Sequence, residues 1–181
     1  MEFAAGVSGA LLRNLANANW NRFAFASTTH SGNQNESPEE VAKVNALVRG
    51  LLDSASTWTD RDGVTKPITI EDILVVAPYN AQVSALRKSL PEDVRVGTVD
   101  KFQGQEAPVV IYSMATSTPE EAPRGMEFLY SSNRLNVATS RAQRVTVLVA
   151  CPALFQVQCK TPRQMELANA FCRYLEMAQL I

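Results

Sequence analysis

Apolar and polar positions along the chain fall into segments of two kinds. Residues 73–77 and 109–114 are short, near-continuous apolar runs rich in β-branched side chains, the pattern of strands buried on both faces. By contrast, Val41, Val44, Leu47, Val48, Leu51 and Leu52 recur at helical spacing, which predicts a helix with one core-directed face. Ser37-Pro38-Glu39-Glu40 supplies its start, with Ser at the cap, Pro in the first turn and acids near the positive dipole end. The helix should run to about Asp53.

The remaining segments extend the same alternation. Residues 22–27 read as a short strand, 58–67 as a hairpin turning at Asp60-Arg61-Asp62-Gly63, and 81–90 as a helix carrying Val83, Leu86 and Leu90 on one side. Strands follow at 94–99 and 145–150, a loop at 116–132, a helix at 133–142 and a closing helix at 162–180. Strands that alternate with helices predict an α/β domain with a mostly parallel sheet covered by helices on both faces. Ligands of such sheets gather at the carboxyl ends of the strands, which directs attention to the turns after Ala77, Val99 and Met114.

Length and composition add bounds. With 181 residues, 46% of them hydrophobic and 19% charged, the chain can bury one core. Residues 1–30 read as a lead-in truncated from an upstream region and 31–181 as the domain proper, joined through the polar stretch 31–37. A formal charge of −1 provides no general field toward phosphate or anionic lipid, so contact with nucleic acid must be local. Three cysteines without close pairing and a single histidine offer no metal site; the thiols read as reduced, and His30 as a polar turn residue beside Gly32. No apolar run approaches the roughly 20 residues that span a bilayer and no basic stretch with a hydrophobic signal core opens the chain; no membrane association and a cytoplasmic location are expected.

Two segments are too polar for plain connections. The turn Val96-Gly-Thr-Val-Asp-Lys-Phe-Gln-Gly-Gln-Glu106 offers phosphate the hydroxyl and amide of Thr98, a backbone shape reserved to Gly104, and the carboxylate of Glu106. Taken singly, Thr98 could equally cap a turn and Glu106 be solvated. The second segment, Asn133-Arg-Leu-Asn-Val-Ala-Thr-Ser-Arg-Ala142, sets Arg134 and Arg141 seven residues apart, within about 20° of each other around a helix. A guanidinium suits phosphate because it is planar, permanently charged and able to donate two parallel hydrogen bonds; a surface ion pair is the ordinary alternative.

In order and spacing these segments resemble motifs V and VI of superfamily I helicases, in the group related to the nonsense-mediated-decay RNA helicase and the DNA replication helicase-nucleases. Ile73-Leu-Val-Val-Ala-Pro-Tyr-Asn-Ala-Gln82 resembles motif IV of the same group. Residues 30–52 are further similar to bacterial proteins that fuse such a helicase to an N-terminal RecB-like nuclease. The resemblance implies a three-layer RecA-like (P-loop NTPase-like) fold and the role of second, C-terminal motor domain. Arg141 would be the arginine finger on the γ-phosphate of ATP, with Gln103, Gly104, Glu106 and Arg134 also on the ATP side. Pro78, Tyr79, Asn80, Thr98 and Asp100 would face single-stranded DNA or RNA, although Tyr79 could equally be a buried ring.

The chain contains no G-x-x-x-x-G-K-[ST] loop and no strand ending in Asp-Glu. ATP and Mg2+ are therefore expected in the full-length protein, held mainly by an upstream RecA-like domain, with a fused nuclease domain left open. Alone, the chain should not hydrolyse ATP. A non-catalytic nucleic-acid-binding or regulatory module is the competing expectation, and a dinucleotide-binding enzyme is disfavoured because no G-x-G-x-x-G follows a strand.

Overall fold

In the computed structural model, residues 23–53, 56–102 and 104–181 are described; of the lead-in expected over residues 1–30, the first 22 lie outside them, and residues 23–27 form a strand inside the main sheet rather than a segment apart from it. Six strands form one sheet in the order β5-β4-β6-β7-β1-β8: β1 (Phe23–Ser27), β4 (Ile73–Ala77), β5 (Arg95–Thr98), β6 (Ala107–Ser113), β7 (Ala142–Ala150) and β8 (Gln179–Leu180). Every pairing in it is parallel. A separate antiparallel hairpin joins β2 (Thr57–Thr59) to β3 (Thr65–Pro67), as the Asp-Gly turn predicts.

Helices cover both faces, giving the three-layer α/β architecture expected of a RecA-like domain. Helices α1 (Pro38–Asp53) and α2 (Asn80–Ser89) bring Val44, Leu47, Val48, Leu51, Val83 and Leu86 onto Ile73, Val75, Ile111 and Val147. The residues alternating with these, Leu74, Val76, Val110, Tyr112 and Leu148, point the other way. There they meet α4 (Ser132–Ser140) through Leu135 and Ala138, and α5 (Pro162–Met177) through Leu167, Phe171 and Tyr174. All five residues of β4 and all seven of β6 are buried, which explains why their sequences are apolar without alternation.

Two predicted elements differ. The expected loop 116–132 contains a short helix, α3 (Gly125–Leu129), anchored because Leu129 and Tyr130 are fully buried and the Tyr130 hydroxyl donates to the Leu154 carbonyl. The closing helix stops at Met177 rather than Leu180. Ala178 turns to an extended conformation and Gln179–Leu180 pair with Ala24 and Phe25, because the outer edge of β1 offers backbone groups that need partners.

His30 is a correction. Rather than serving only as a polar turn residue beside Gly32, it is 9% exposed, inside a buried polar network. Its Nε2 donates to Glu40 Oε1 at 3.0 Å, and its Nδ1 lies 2.7 Å from Ser117 Oγ, which accepts from the Asn33 N–H. The other oxygen of Glu40 accepts from Ser113 Oγ at 2.6 Å and from the Ala115 N–H at 2.9 Å. Gln82 continues the network, donating to Ser113 Oγ and accepting from the Ser37 N–H. Ala115 holds a φ of 68°, a left-handed conformation strained for alanine, and the Glu40 carboxylate pins it there.

Among the described residues no helix is long and apolar enough to cross a membrane. Removing the carboxylate in Glu40→Ala strands three buried donors and should lower the unfolding free energy by about 3 kcal/mol or more. Urea denaturation would check this; an unchanged midpoint would mean that the network does not hold the β6 exit in place.

Candidate functional site

Parallel strands can be joined only by a connection that leaves the carboxyl edge of the sheet and returns at the amino edge. Both chemically promising segments are such connections. Residues 99–106 join β5 to β6, beginning with a 3-10 turn at Val99–Phe102, and α4 leads into β7. Val99, Phe102, Leu135 and Ala138 share one buried cluster, so both segments lie on the same face of the sheet. The close approach of the turn requires Gly97: a Cβ there would sit 2.8 Å from Lys101 Cδ and 2.8 Å from Phe102 Cε2.

At the carboxyl edge, the ends of β4 and β5 border a cavity of about 360 Å³. Pro78, Tyr79, Asn80, Thr98 and Asp100 all line it, so one site collects every residue that the resemblance places toward a single strand. Arg134 lines it too, with Nη2 3.4 Å from Asp100 Oδ2. Two guanidinium groups lie over the Phe128 ring, Arg124 at 3.9 Å and Arg134 at 4.3 Å from its centroid, an arrangement that fixes their planes and leaves N–H edges for an anion. The N-terminus of α2 borders the same cavity and has no side-chain cap, so its first amides and positive dipole end add to the anion preference. Tyr79 is the buried ring that the sequence left as an alternative, 7% exposed and 5.5 Å from the Phe128 ring. Burial pushes its phenol above the ordinary tyrosine range.

The other ends of the same segments meet at the amino edge. The Ala107 N–H donates to the Arg141 carbonyl at 3.0 Å, so Glu106 and Arg141 belong to adjoining strand starts. Pro108 has no N–H to give, and the β6–β7 register shifts beside it, between Ala107 and Val109. Glu106 accepts from Gln143 Nε2 at 3.2 Å and from Arg61 Nη2, at the hairpin tip, at 3.5 Å. Arg141 caps the end of α4 and is half-buried; its Nε is buried with no hydrogen-bond partner among the described residues. Gly104 stands at φ 86°, a shape open to glycine alone at little cost.

Pro78, Tyr79, Asn80, Thr98 and Asp100 are thus together at one edge, and Glu106 and Arg141 together at the other, with Gly104 in the segment leading to Glu106. Arg134 parts from Arg141, since seven residues of helix separate the two along its axis by about 10 Å. Gln103 lies outside the described residues. The sequence reading missed Arg124 and Phe128, which sit in the presumed loop, and Arg61. Gly125 at φ 74°, following a proline and an arginine, is the one local sign that this loop has a fixed shape.

The fold and the two-edged site define an α/β domain of the RecA-like, P-loop NTPase-like type. Residues 15–153 match the AAA domain family, and the chain belongs to it. It is similar to an uncharacterized ATP-dependent helicase of Caenorhabditis elegans, 35% identical over 67% of this chain and 7% of the helicase. It also resembles the DNA polymerase alpha-associated DNA helicase A of Schizosaccharomyces pombe, 44% identical over 41% of this chain and 11% of that protein. DNA-binding protein SMUBP-2 of Rattus norvegicus is 32% identical over 62% of this chain and 10% of its own length. The chain therefore spans about a tenth of these curated relatives.

Gly97→Ala should drive the added methyl into the Phe102 ring and Lys101. A loss of about 1–3 kcal/mol is expected, visible as a fall of several degrees in Tm; an unchanged Tm would show that the 3-10 turn can lift without penalty.

Proposed function

We propose that this chain is the second motor domain of an ATP-dependent superfamily I helicase, supplying an arginine finger and part of the single-strand track. The observation that carries the reading is the placement of α4. Its first turn brings Arg134 to the cavity of Thr98, Asn80 and Tyr79, and its end brings Arg141 beside Glu106.

At the amino edge, Arg141 is the group for the γ-phosphate. Its guanidinium is half-buried, with an Nε that has no hydrogen-bond partner among the described residues, and a fixed planar fork of this kind suits phosphate oxygens. As the terminal phosphoryl group passes to water, negative charge spreads over its oxygens, and a guanidinium fixed beside them can contribute on the order of 10³ to 10⁵ in rate. Glu106 would face the nucleotide sugar, with Gln103 and Gly104 shaping that wall. The chain carries no phosphate-binding loop, so ATP and Mg2+ would be held mainly by an upstream RecA-like domain in the full-length protein. When bound there, Mg2+ neutralises charge on the phosphate oxygens.

At the carboxyl edge, the Thr98 hydroxyl, the amides at the start of α2 and the guanidinium groups of Arg124 and Arg134 suit the phosphates of single-stranded DNA or RNA. Donors aimed at phosphate rather than at base edges suit tracking without sequence preference. Asp100 would orient Arg134. The absence of a phosphate loop from the chain favours a second reading, a nucleic-acid-binding module that completes no ATP site.

Arg141→Ala in the intact protein separates the two. The motor reading expects nucleic-acid-stimulated ATP hydrolysis to fall by about 10³-fold or more while single-strand affinity is retained. Activity within a few-fold of the unaltered protein would overturn the finger role, and no stimulated hydrolysis in the unaltered protein would favour the binding module.

A further inference from the structure

Three cavities in the structure share walls. The carboxyl-edge cavity has Asn80 and Thr98 in common with one of about 310 Å³, which in turn shares Arg87 and Lys101 with one of about 630 Å³. The series follows the outer edge of β5, the strand that ends the sheet. One wall is the face of α2 bearing Asn80, Val83, Ser84 and Arg87, spaced at one helical side, and the other is the 3-10 turn bearing Lys101. Gly97 forms the floor of the middle cavity, and its missing side chain is what allows the Lys101 stem to lie across the strand.

The charge along this groove is one-sided. Arg124, Arg134, Arg87, Lys101 and Arg95 line it against only Asp100 and Glu92, on a chain whose formal charge is −1. Among the described residues these cations are not consumed by ion pairs: the Arg134–Asp100 contact at 3.4 Å is the one salt bridge they make there. Arg87 donates Nε and Nη2 to the Val96 carbonyl at 3.3 and 2.8 Å, which holds its guanidinium over the edge strand and keeps its charge. The Lys101 ammonium rests 5.8 Å from the centroid of the Phe102 ring. A basic groove continuous with a phosphate-binding pocket is the footprint of an extended polyanion.

We infer that the β5 edge groove is a second stretch of nucleic-acid site, in which Arg87, Lys101 and Ser84 receive the backbone of a single strand leaving the carboxyl-edge cavity. This rests on the reading of that cavity as a single-strand site. The four residues of β5 span about 10 Å, room for only a short stretch of an extended single strand. Contacts here come from charge and a hydroxyl, so they bind any sequence, and they weaken with salt.

Fluorescence anisotropy of labelled oligothymidylate and oligouridylate with the chain tests the inference. Ser84 is exposed, so Ser84→Glu and Ser84→Lys change the groove's charge without touching the core. Lys101→Glu removes a phosphate partner, and Arg134→Ala reports on the cavity. For strands of about 12 nucleotides, Ser84→Glu and Lys101→Glu should weaken binding roughly 5- to 10-fold at low salt and lower the slope of log affinity against log salt by about 0.7 per lost contact. Ser84→Lys should tighten it, and strands of about four nucleotides, confined to the cavity, should bind the three Ser84 and Lys101 variants as they bind the unaltered chain and bind Arg134→Ala more weakly.

Unchanged long-strand affinity in Ser84→Glu and Lys101→Glu, with Arg134→Ala still weakened, would overturn the groove and leave the cavity reading intact. Equal weakening of short and long strands would also overturn it, since a diffuse field rather than a track would then be acting. Failure of the unaltered chain to bind either strand, or full binding by Arg134→Ala, would overturn the cavity reading and the groove with it.

Discussion

A parallel sheet imposes one geometric obligation on everything attached to it: each connection must travel the full depth of the layer before the next strand can begin. In this domain that obligation separates polar side chains along single segments. The connection from β5 to β6 has Thr98 and Asp100 at its start and Glu106 at its end, while α4 has Arg134 at its start and Arg141 at its end. Each segment is therefore represented at both edges of the sheet. Pairing the same residues through hairpins would have left all of them at one edge.

The carboxyl edge also depends on a buried polar device. Glu40, from the first turn of α1, accepts from His30, from Ser113 at the end of β6 and from the backbone of the strained Ala115. The loop that follows leads to Arg124 and Phe128. Satisfying every oxygen of a buried carboxylate keeps the desolvation penalty from being exposed, and the satisfied network gives the β6 exit a single conformation. Hydrophobic packing alone would not choose between the alternative backbone shapes available at residue 115.

How much of this was legible in the sequence follows from which interactions are local. The strands β4 and β6 were readable because burial on both faces leaves an unbroken apolar run, and α1 because its core face repeats with the helical period. Pro78, Tyr79, Asn80, Thr98 and Asp100 were named together through the motif likeness, and the fold sets them around one cavity. The separation of Arg134 from Arg141 was not, since angular spacing says that two residues share a helix face and nothing about where the ends of the helix lie. His30 was misread because its partners Glu40 and Ser117 are 10 and 87 residues away, and only the closed fold brings them within reach. The terminal strand β8 escaped for a similar reason: two residues carry no pattern, and their conformation is set by the open edge of β1.

The stiffness of α4 has a mechanical consequence. Two and a half turns of hydrogen-bonded helix behave as a lever of nearly fixed length, about 10 Å between its two arginines. If the guanidinium at one tip is drawn toward a newly arrived charge, the opposite tip must swing or slide by a comparable amount. Communication between the edges of the sheet then needs no chain of rearranging side chains, only a small tilt of one rod against the layer beneath it.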